Sequence, residues 1–177
     1  MSTSIKTMQP AATYARARME AIANTLPPNA RLLVQVGAGD GALARHYHSI
    51  YPTTSFVVVE SDPAAARRAL RFADRVIQVA LDQADASLFR HLQWADGWLF
   101  DLTLADLQQP AQVLAAIRAV IQYDACLLVC VPDPGDELAA LNQLFAEAGF
   151  RLSNSFEFSP GVGAAPDHYL IKAMPAG

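Results

Sequence analysis

Apolar residues in this chain come as short unbroken blocks, set between longer stretches in which they recur every three or four positions. Leu32, Leu33, Val34 and Val36 make the first block; residues 56–59, 76–79, 97–102 and 125–131 make four more. Blocks of that length read as strands buried on both faces. Between them lie helical stretches at 42–50, 63–72 and 84–92, and one opened by Pro110 with Val113, Leu114, Ile117, Val120 and Ile121 inward. Residues 137–148 give another, with Leu138, Leu141, Leu144 and Phe145 on one side and Gly149 just past its end. A leading helix over 11–26 carries Tyr14, Met19, Ile22 and Leu26 as a stripe and stops at Pro27–Pro28. After the last helix the period changes to two: residues 151–158 alternate, 159–166 read as a loop, and 168–174 form a seventh strand. Five strand–helix alternations imply a parallel sheet wound in both directions, and the short final connection implies an antiparallel pair. The expected fold is therefore α/β: a Rossmann-like, doubly wound, seven-stranded sheet, mostly parallel with the last strand antiparallel, and helices on both faces. No repeat or boundary divides it, so residues 1–177 are expected as one domain with a loose tail at 1–10.

The chemistry concentrates where the first strand ends. Gly37, Ala38, Gly39 and Gly41 follow it directly, and the helix over 42–50 begins at once, with Asp40 placed to cap it. Glycine accepts positive φ and lets another group approach the backbone closely. Glu60 ends the second strand, about 20 residues on, where a carboxylate can accept both hydroxyl hydrogen bonds of a ribose. The pattern points to a nucleoside-bearing cofactor; the plain alternative is a tight strand–helix turn with no ligand.

Composition narrows the partners. Apolar residues are 53% and charged residues 17%, as in a folded chain rather than a disordered one. Net charge is −4 and the basic residues are scattered apart from Arg67, Arg68, Arg71 and Arg75, which read as a solvated helix face, so no nucleic-acid partner is expected. Neither a signal core nor a membrane-length apolar run is evident, and a cytoplasmic location is expected. Cys126 and Cys130 lie four apart in one strand, so both face one side as buried thiols, without redox or zinc spacing.

VQVGAGDGALA, VVVESDPAAARRA, and FAEAGF followed by strand, loop and HYLIKA together resemble the class I S-adenosylmethionine-dependent methyltransferases, over nearly the whole chain. GDGALA, YP and VESDPAAARRA resemble, more narrowly, methyltransferase domains found beside glycosyltransferases in bacterial surface-polysaccharide gene sets. The resemblance implies S-adenosyl-L-methionine as cofactor. It places Gly37, Ala38, Gly39 and Gly41 against its amino-acid and ribose portions, Gln35 at its ammonium, Glu60 at the ribose hydroxyls and Asp82 near the adenine. Three positions depart from the family pattern. Gln35 stands where an acid is usual; Val79, Ala80 and Leu81 stand where an acid near the adenine is usual, with Asp82 two residues late; Ala105 and Asp106 replace a Glu-His pair.

Asp101 ends the fourth strand and Asp106 follows five residues on, beside the expected cleft; an acid there can orient or deprotonate an acceptor. The acceptor, a small molecule or a glycan, is expected over 101–106 and 132–134. Asp133 on the same rim reads more simply as a turn residue. His46, His48, His91 and His168 have no ligand spacing with a carboxylate, so no metal is assigned. Trp98 reads as core and Trp94 as core or surface packing. Two other readings stay open. Gly37, Gly39 and Ala42 with Glu60 also satisfy the dinucleotide fingerprint of an NAD(P)-binding oxidoreductase. Gln35, Ala80 and Ala105 also suit a catalytically silent scaffold. The sequence leaves the oligomeric state open.

Overall fold

The computed structural model describes residues 10–132, 135–159 and 167–177. Its strands are β1 (Leu32–Val36), β2 (Ser55–Glu60), β3 (Arg75–Gln78), β4 (Gly97–Asp101), β5 (Cys126–Pro132), β6 (Phe150–Phe158) and β7 (His168–Pro175). They form one seven-stranded sheet in the order β3-β2-β1-β4-β5-β7-β6. β1 to β5 pair in parallel, with Gln35 opposite Val58 on one side and Leu99 on the other. β7 runs antiparallel between β5 and β6, bringing His168 opposite Pro132 at the C-terminal end of β5. The expected doubly wound sheet with an antiparallel last strand is what the chain forms.

Two apolar layers cover the sheet. One face meets α1 (Pro10–Thr25), α2 (Ala42–Ile50) and α3 (Pro63–Ala69): Ile22, Leu43, Tyr47 and Ala69 pack on Leu33, Phe56, Val58, Leu99 and Leu128. The other meets α4 (Ala86–His91), α5 (Pro110–Val120) and α6 (Leu138–Glu147) through Phe89, Val113, Leu114, Ile117 and Phe145. The central strands are sealed on both sides, as unbroken apolar blocks require. Trp98 is fully buried, while Trp94 is exposed. Cys126 and Cys130 are buried, and burial pushes both thiols up to about 11.

Two helix boundaries and the burial pattern of one strand depart most from the sequence expectation, each for a local reason. The helix expected over 63–72 ends at Ala69, because Arg71 and Phe72 turn back onto the carbonyls of Arg68 and Ala69. The helix expected over 84–92 starts at Ala86, because the Asp85 carboxylate caps it by accepting from the N–H groups of Ser87 and Leu88. β6 keeps its alternation in sequence but not in burial. A register shift between Leu152 and Asn154 sends Phe150 and Leu152 to one face and Phe156 and Phe158 to the other. Leu152 and Phe156 are consequently exposed on this edge strand.

Candidate cofactor site

The strand order reverses beside β1, whose neighbours β2 and β4 lead off in opposite directions. The crevice at the C-terminal ends of such strands is where doubly wound sheets bind ligands. Here the chain leaves β1 through Gly37, Gly39 and Gly41, with φ of 88°, 56° and 78°. Two of the three are also closed to a side chain: a Cβ on Gly37 would lie 2.6 Å from Thr103 Cγ2, and one on Gly41 would lie 2.2 Å from Phe72 Cδ1. Gly41, not Asp40, is the N-cap of α2 and has no side-chain cap hydrogen bond; Asp40, one residue earlier, accepts from Ala42 N at 2.8 Å.

Glu60 ties this loop to the tip of β2. Its Oε2 accepts from Ala38 N and its Oε1 from Asp62 N, each at 2.8 Å. Each oxygen keeps a lone pair for a hydroxyl. Gln35 is buried, and its Nε2 donates to Gly37 O at 2.8 Å. Asp82 lies in a short turn (Leu81–Gln83) after β3, where its carboxylate accepts from the N–H groups of Gln108 and Gln109 at 3.1 and 2.9 Å. It thus anchors the segment after β4 as well as facing the crevice.

That segment, marked in the sequence by Ala105 and Asp106 but not by its turn, borders two of the three cavities around the site, and Asp101 just before it borders the other. Leu102 sits at φ 62°, a left-handed conformation that costs a branched residue roughly 1–2 kcal/mol. The turn brings Thr103 under the glycine loop, where its Oγ1 donates to Val36 O at 2.8 Å. Three cavities surround the segment. One of about 310 Å³ is lined by Gly37, Val59, Glu60, Ala80, Asp82, Thr103, Asp106 and Leu107. A second, about 360 Å³, lies under α1 between Arg18, Gln35, Gly39, Asp40 and Asp101. The third, about 490 Å³ and mostly apolar, is bounded by Leu104, Ala105, Pro110, Val131, Pro132 and one side of α6. The first two lie on either side of the glycine loop. The structure thus brings Gln35, the three glycines and Asp101 to one cavity or the other, with Glu60, Asp82 and Asp106 in the first. Ala38 reaches the site through its backbone N–H. Asp133 and Pro134 lie outside the described residues.

Helix α1 contributes Arg18, which the sequence pattern did not single out, and Tyr14, which it placed only in the apolar stripe. Arg18 Nη1 donates to Asp101 Oδ1 at 2.5 Å and to Cys130 Sγ at 3.4 Å. Burial opposes the Arg18 charge, but the Asp101 carboxylate and Cys130 outweigh it and the net shift is upward. One turn earlier, Tyr14 donates its hydroxyl to Asp167, and His168 Nδ1 lies 3.0 Å from the same hydroxyl and 2.9 Å from Asp167. Burial, then the Asp167 hydrogen bond, push the Tyr14 phenol up to about 12, while Tyr14 and His168 hold the Asp167 carboxyl below its usual range. The four-residue spacing of Tyr14 and Arg18 puts both on one helix face. That spacing was the one sequence signal for them.

No protein-family model matches the chain, and no curated protein matches it. Solved structures do. The mitomycin 7-O-methyltransferase MmcR superposes with a TM-score of 0.69 at 18% identity over 90% of this chain and 53% of its own, so the chain spans about half that enzyme's length. A Burkholderia thailandensis 1,6-didemethyltoxoflavin-N1-methyltransferase, solved with 1,6-didemethyltoxoflavin and S-adenosylhomocysteine, superposes at 0.66 and 18% identity over 94% of this chain and 85% of its own. The N-methyltransferase NodS of Bradyrhizobium japonicum does so at 0.69 and 12% identity over 93% and 98%. None of the described helices is long and apolar enough to cross a membrane. With its seven strands, reversed strand order and antiparallel β7, the chain has the class I S-adenosylmethionine-dependent methyltransferase fold.

Proposed function

We propose that this chain binds S-adenosylmethionine and transfers its methyl group to a small-molecule or glycan acceptor. The observation that carries the reading is the link from Glu60 to Ala38 N across the base of a positive-φ glycine loop, with a cavity on each side. The residues fit the cofactor's parts. Glu60 offers its remaining lone pairs to the ribose hydroxyls, Ala80 and Leu107 offer apolar contact to the adenine, and Asp82 faces its polar edge. When bound, the cofactor supplies an already activated methyl on a sulfonium. The protein's share is then mainly orientation and exclusion of water. Asp101 and Asp106 flank the segment over which an acceptor approaches, with Asp106 exposed and placed to orient or deprotonate a nucleophile. Small-molecule neighbours such as the mitomycin and toxoflavin enzymes support one acceptor class. The sequence likeness to domains beside polysaccharide glycosyltransferases supports the other. The cleft is read as belonging to a single domain working in the cytoplasm.

Calorimetric titration with S-adenosylhomocysteine tests the reading. Saturable one-to-one binding, stronger than that of NAD or NADP, is the expected result. Binding of NAD alone would favour the dinucleotide reading. No binding by any of the three would leave a silent scaffold, in which Gln35 serves only to satisfy Gly37 O.

A further inference from the structure

The largest of the three cavities around the segment after β4 is not needed by the cofactor. It measures about 490 Å³, a size that holds a small-molecule ligand. One wall is the turn Leu104–Asp106 with the end of β5; the other is the side of α6 that carries Ala140, Leu141 and Leu144. Leu104 is buried in the core layer, and Val131, Leu141 and Leu144 pack against that layer, so the cavity floor is continuous with it. Pro110 and Pro132 also line it, and neither has a backbone N–H to offer. Of the nine lining residues, Glu137 alone has a polar side chain. The turn is a thin partition: Leu104 and Ala105 face this cavity, while Asp106 faces the one that Glu60 and Asp82 line. Among the described residues, neither Asp106 nor Glu137 joins an ion pair, and no lysine, arginine or histidine lines either cavity.

We propose that this cavity selects the methyl acceptor, and that the acceptor is an apolar amine rather than a glycan or an ionisable hydroxyl compound. The proposal rests on the methyltransferase reading above and names its acceptor class. A sugar carries hydroxyls on every side, and walls of Leu, Val, Ala and Pro leave most of them without a partner once water is displaced. An apolar ring system fills the same space and gains from leaving water. The sign of the charge then decides the nucleophile. A hydroxyl attacks best as its oxyanion, and Asp106 and Glu137 repel an oxyanion with no cation beside them to offset it. An amine attacks as the neutral base, and its N–H groups donate to carboxylates. Its lone pair goes to the methyl carbon, and the methyl–sulfur bond breaks with its pair left on sulfur. The proton released from nitrogen passes to the Asp106 carboxylate and, because Asp106 is exposed, on to water.

Fluorescence titrations on the full chain, with S-adenosylhomocysteine present, test the class. Saturable binding of 1-naphthylamine, not displaced by cellobiose in large excess, is expected. Ala140→Phe adds a ring to the cavity from an exposed helix position and should weaken 1-naphthylamine about 10-fold. Glu137→Gln should weaken it only about threefold, since that carboxylate is exposed. Neither residue lines a cofactor cavity, so both variants should bind S-adenosylhomocysteine within about twofold of the parent. The absorbance of bound 1-naphthol reads the charge preference: its hydroxyl should ionise at a higher pH than in free solution, and Glu137→Lys should bring that pH down. Displacement by cellobiose, or 1-naphthylamine binding that Ala140→Phe leaves unchanged, would overturn the apolar acceptor. Bound 1-naphthol that ionises at a lower pH than free would show a site suited to an oxyanion and overturn the amine. If the parent binds S-adenosylhomocysteine but not 1-naphthylamine, the acceptor class is wrong while the cofactor reading stands. If it binds 1-naphthylamine but not S-adenosylhomocysteine, the cofactor reading fails, and the cavity is not an acceptor site.

Discussion

The two ends of the sheet use carboxylates in nearly the same way, yet only at one end do they stand beside a positive-φ glycine loop flanked by cavities. At the N-terminal edge, Asp96 precedes β4 and accepts from the N–H groups of Arg31 and Leu32 at the start of β1. Asp74 precedes β3 and accepts from Phe56 N in β2 at 2.7 Å. At the C-terminal edge, Glu60 ties β2 to the loop after β1, and Asp82 ties the β3 turn to the segment after β4. All four lace neighbouring strands together through backbone donors. Backbone hydrogen bonds to carboxylates therefore do not distinguish the two ends. What differs is the backbone beside the carboxylates. Gly37, Gly39 and Gly41 all take positive φ within five residues, and open volume lies on both sides of them. Glu60 and Asp82 keep unused lone pairs facing that volume.

The largest effect that would break this comparison comes from closing the glycine loop. Gly41→Ala places a methyl 2.2 Å from the Phe72 ring at a φ of 78°. Left-handed strain and overpacking together predict a loss of about 2–4 kcal/mol in stability, read by urea denaturation. A midpoint equal to the parent's would mean that the loop tolerates side chains and is an ordinary turn.

The next effect separates binding from lacing. Glu60→Ala should weaken S-adenosylhomocysteine by about 2–3 kcal/mol, roughly 30- to 150-fold, through loss of a charged acceptor. It also frees Ala38 N and Asp62 N, so the melting temperature should fall slightly while the fold survives. Glu60→Gln keeps one carbonyl acceptor and should lose less on both measures. If Glu60→Ala binds and melts like the parent, Glu60 belongs with Asp74 as a mere surface tie.

How far the sequence revealed this site depends on the kind of signal each part leaves. The glycine loop and Glu60 were legible because positive φ and a strand-tip acid leave fixed residue types at fixed spacing. The sheet was legible for the same reason: buried parallel strands must be continuous apolar blocks. Arg18 was not, because its partner Asp101 lies 83 positions away and only the docking of α1 joins them. Thr103 was hidden too, since nothing in LTLADLQQP announces the left-handed turn at Leu102 that delivers it. The exposed apolar residues of β6 escaped because a register shift is invisible in an alternating pattern that remains intact.

The smallest effect sharpens the N-terminal side of the comparison. Burial raises the Asp96 carboxyl, but the Arg31 side chain and the N–H groups of Arg31 and Leu32 overcome it, so its pKa is lowered. A carboxylate depressed in the folded state stabilises the fold above its unfolded value, about 3.9. That contribution fades as pH falls through the lower, folded value. Asp96→Asn keeps one oxygen for the backbone donors but loses the charge. The Arg31 guanidinium is mostly exposed, at 68%, so its ion pair adds little in water. A loss of about 1 kcal/mol at neutral pH is therefore expected, mostly because the backbone N–H groups then meet a neutral oxygen in place of a charged one. Thermal melts of parent and variant should differ at pH 7 and begin to converge only as pH falls below about 4. Affinity for S-adenosylhomocysteine should be the same in both, since Asp96 stands at the far end of the strands from the glycine loop. A gap in melting temperature that persists or widens toward low pH would show that the Asp96 charge contributes nothing and that its lacing is purely geometric. A change in ligand affinity would show that the two edges are coupled through β1 and β4, against the division drawn between them.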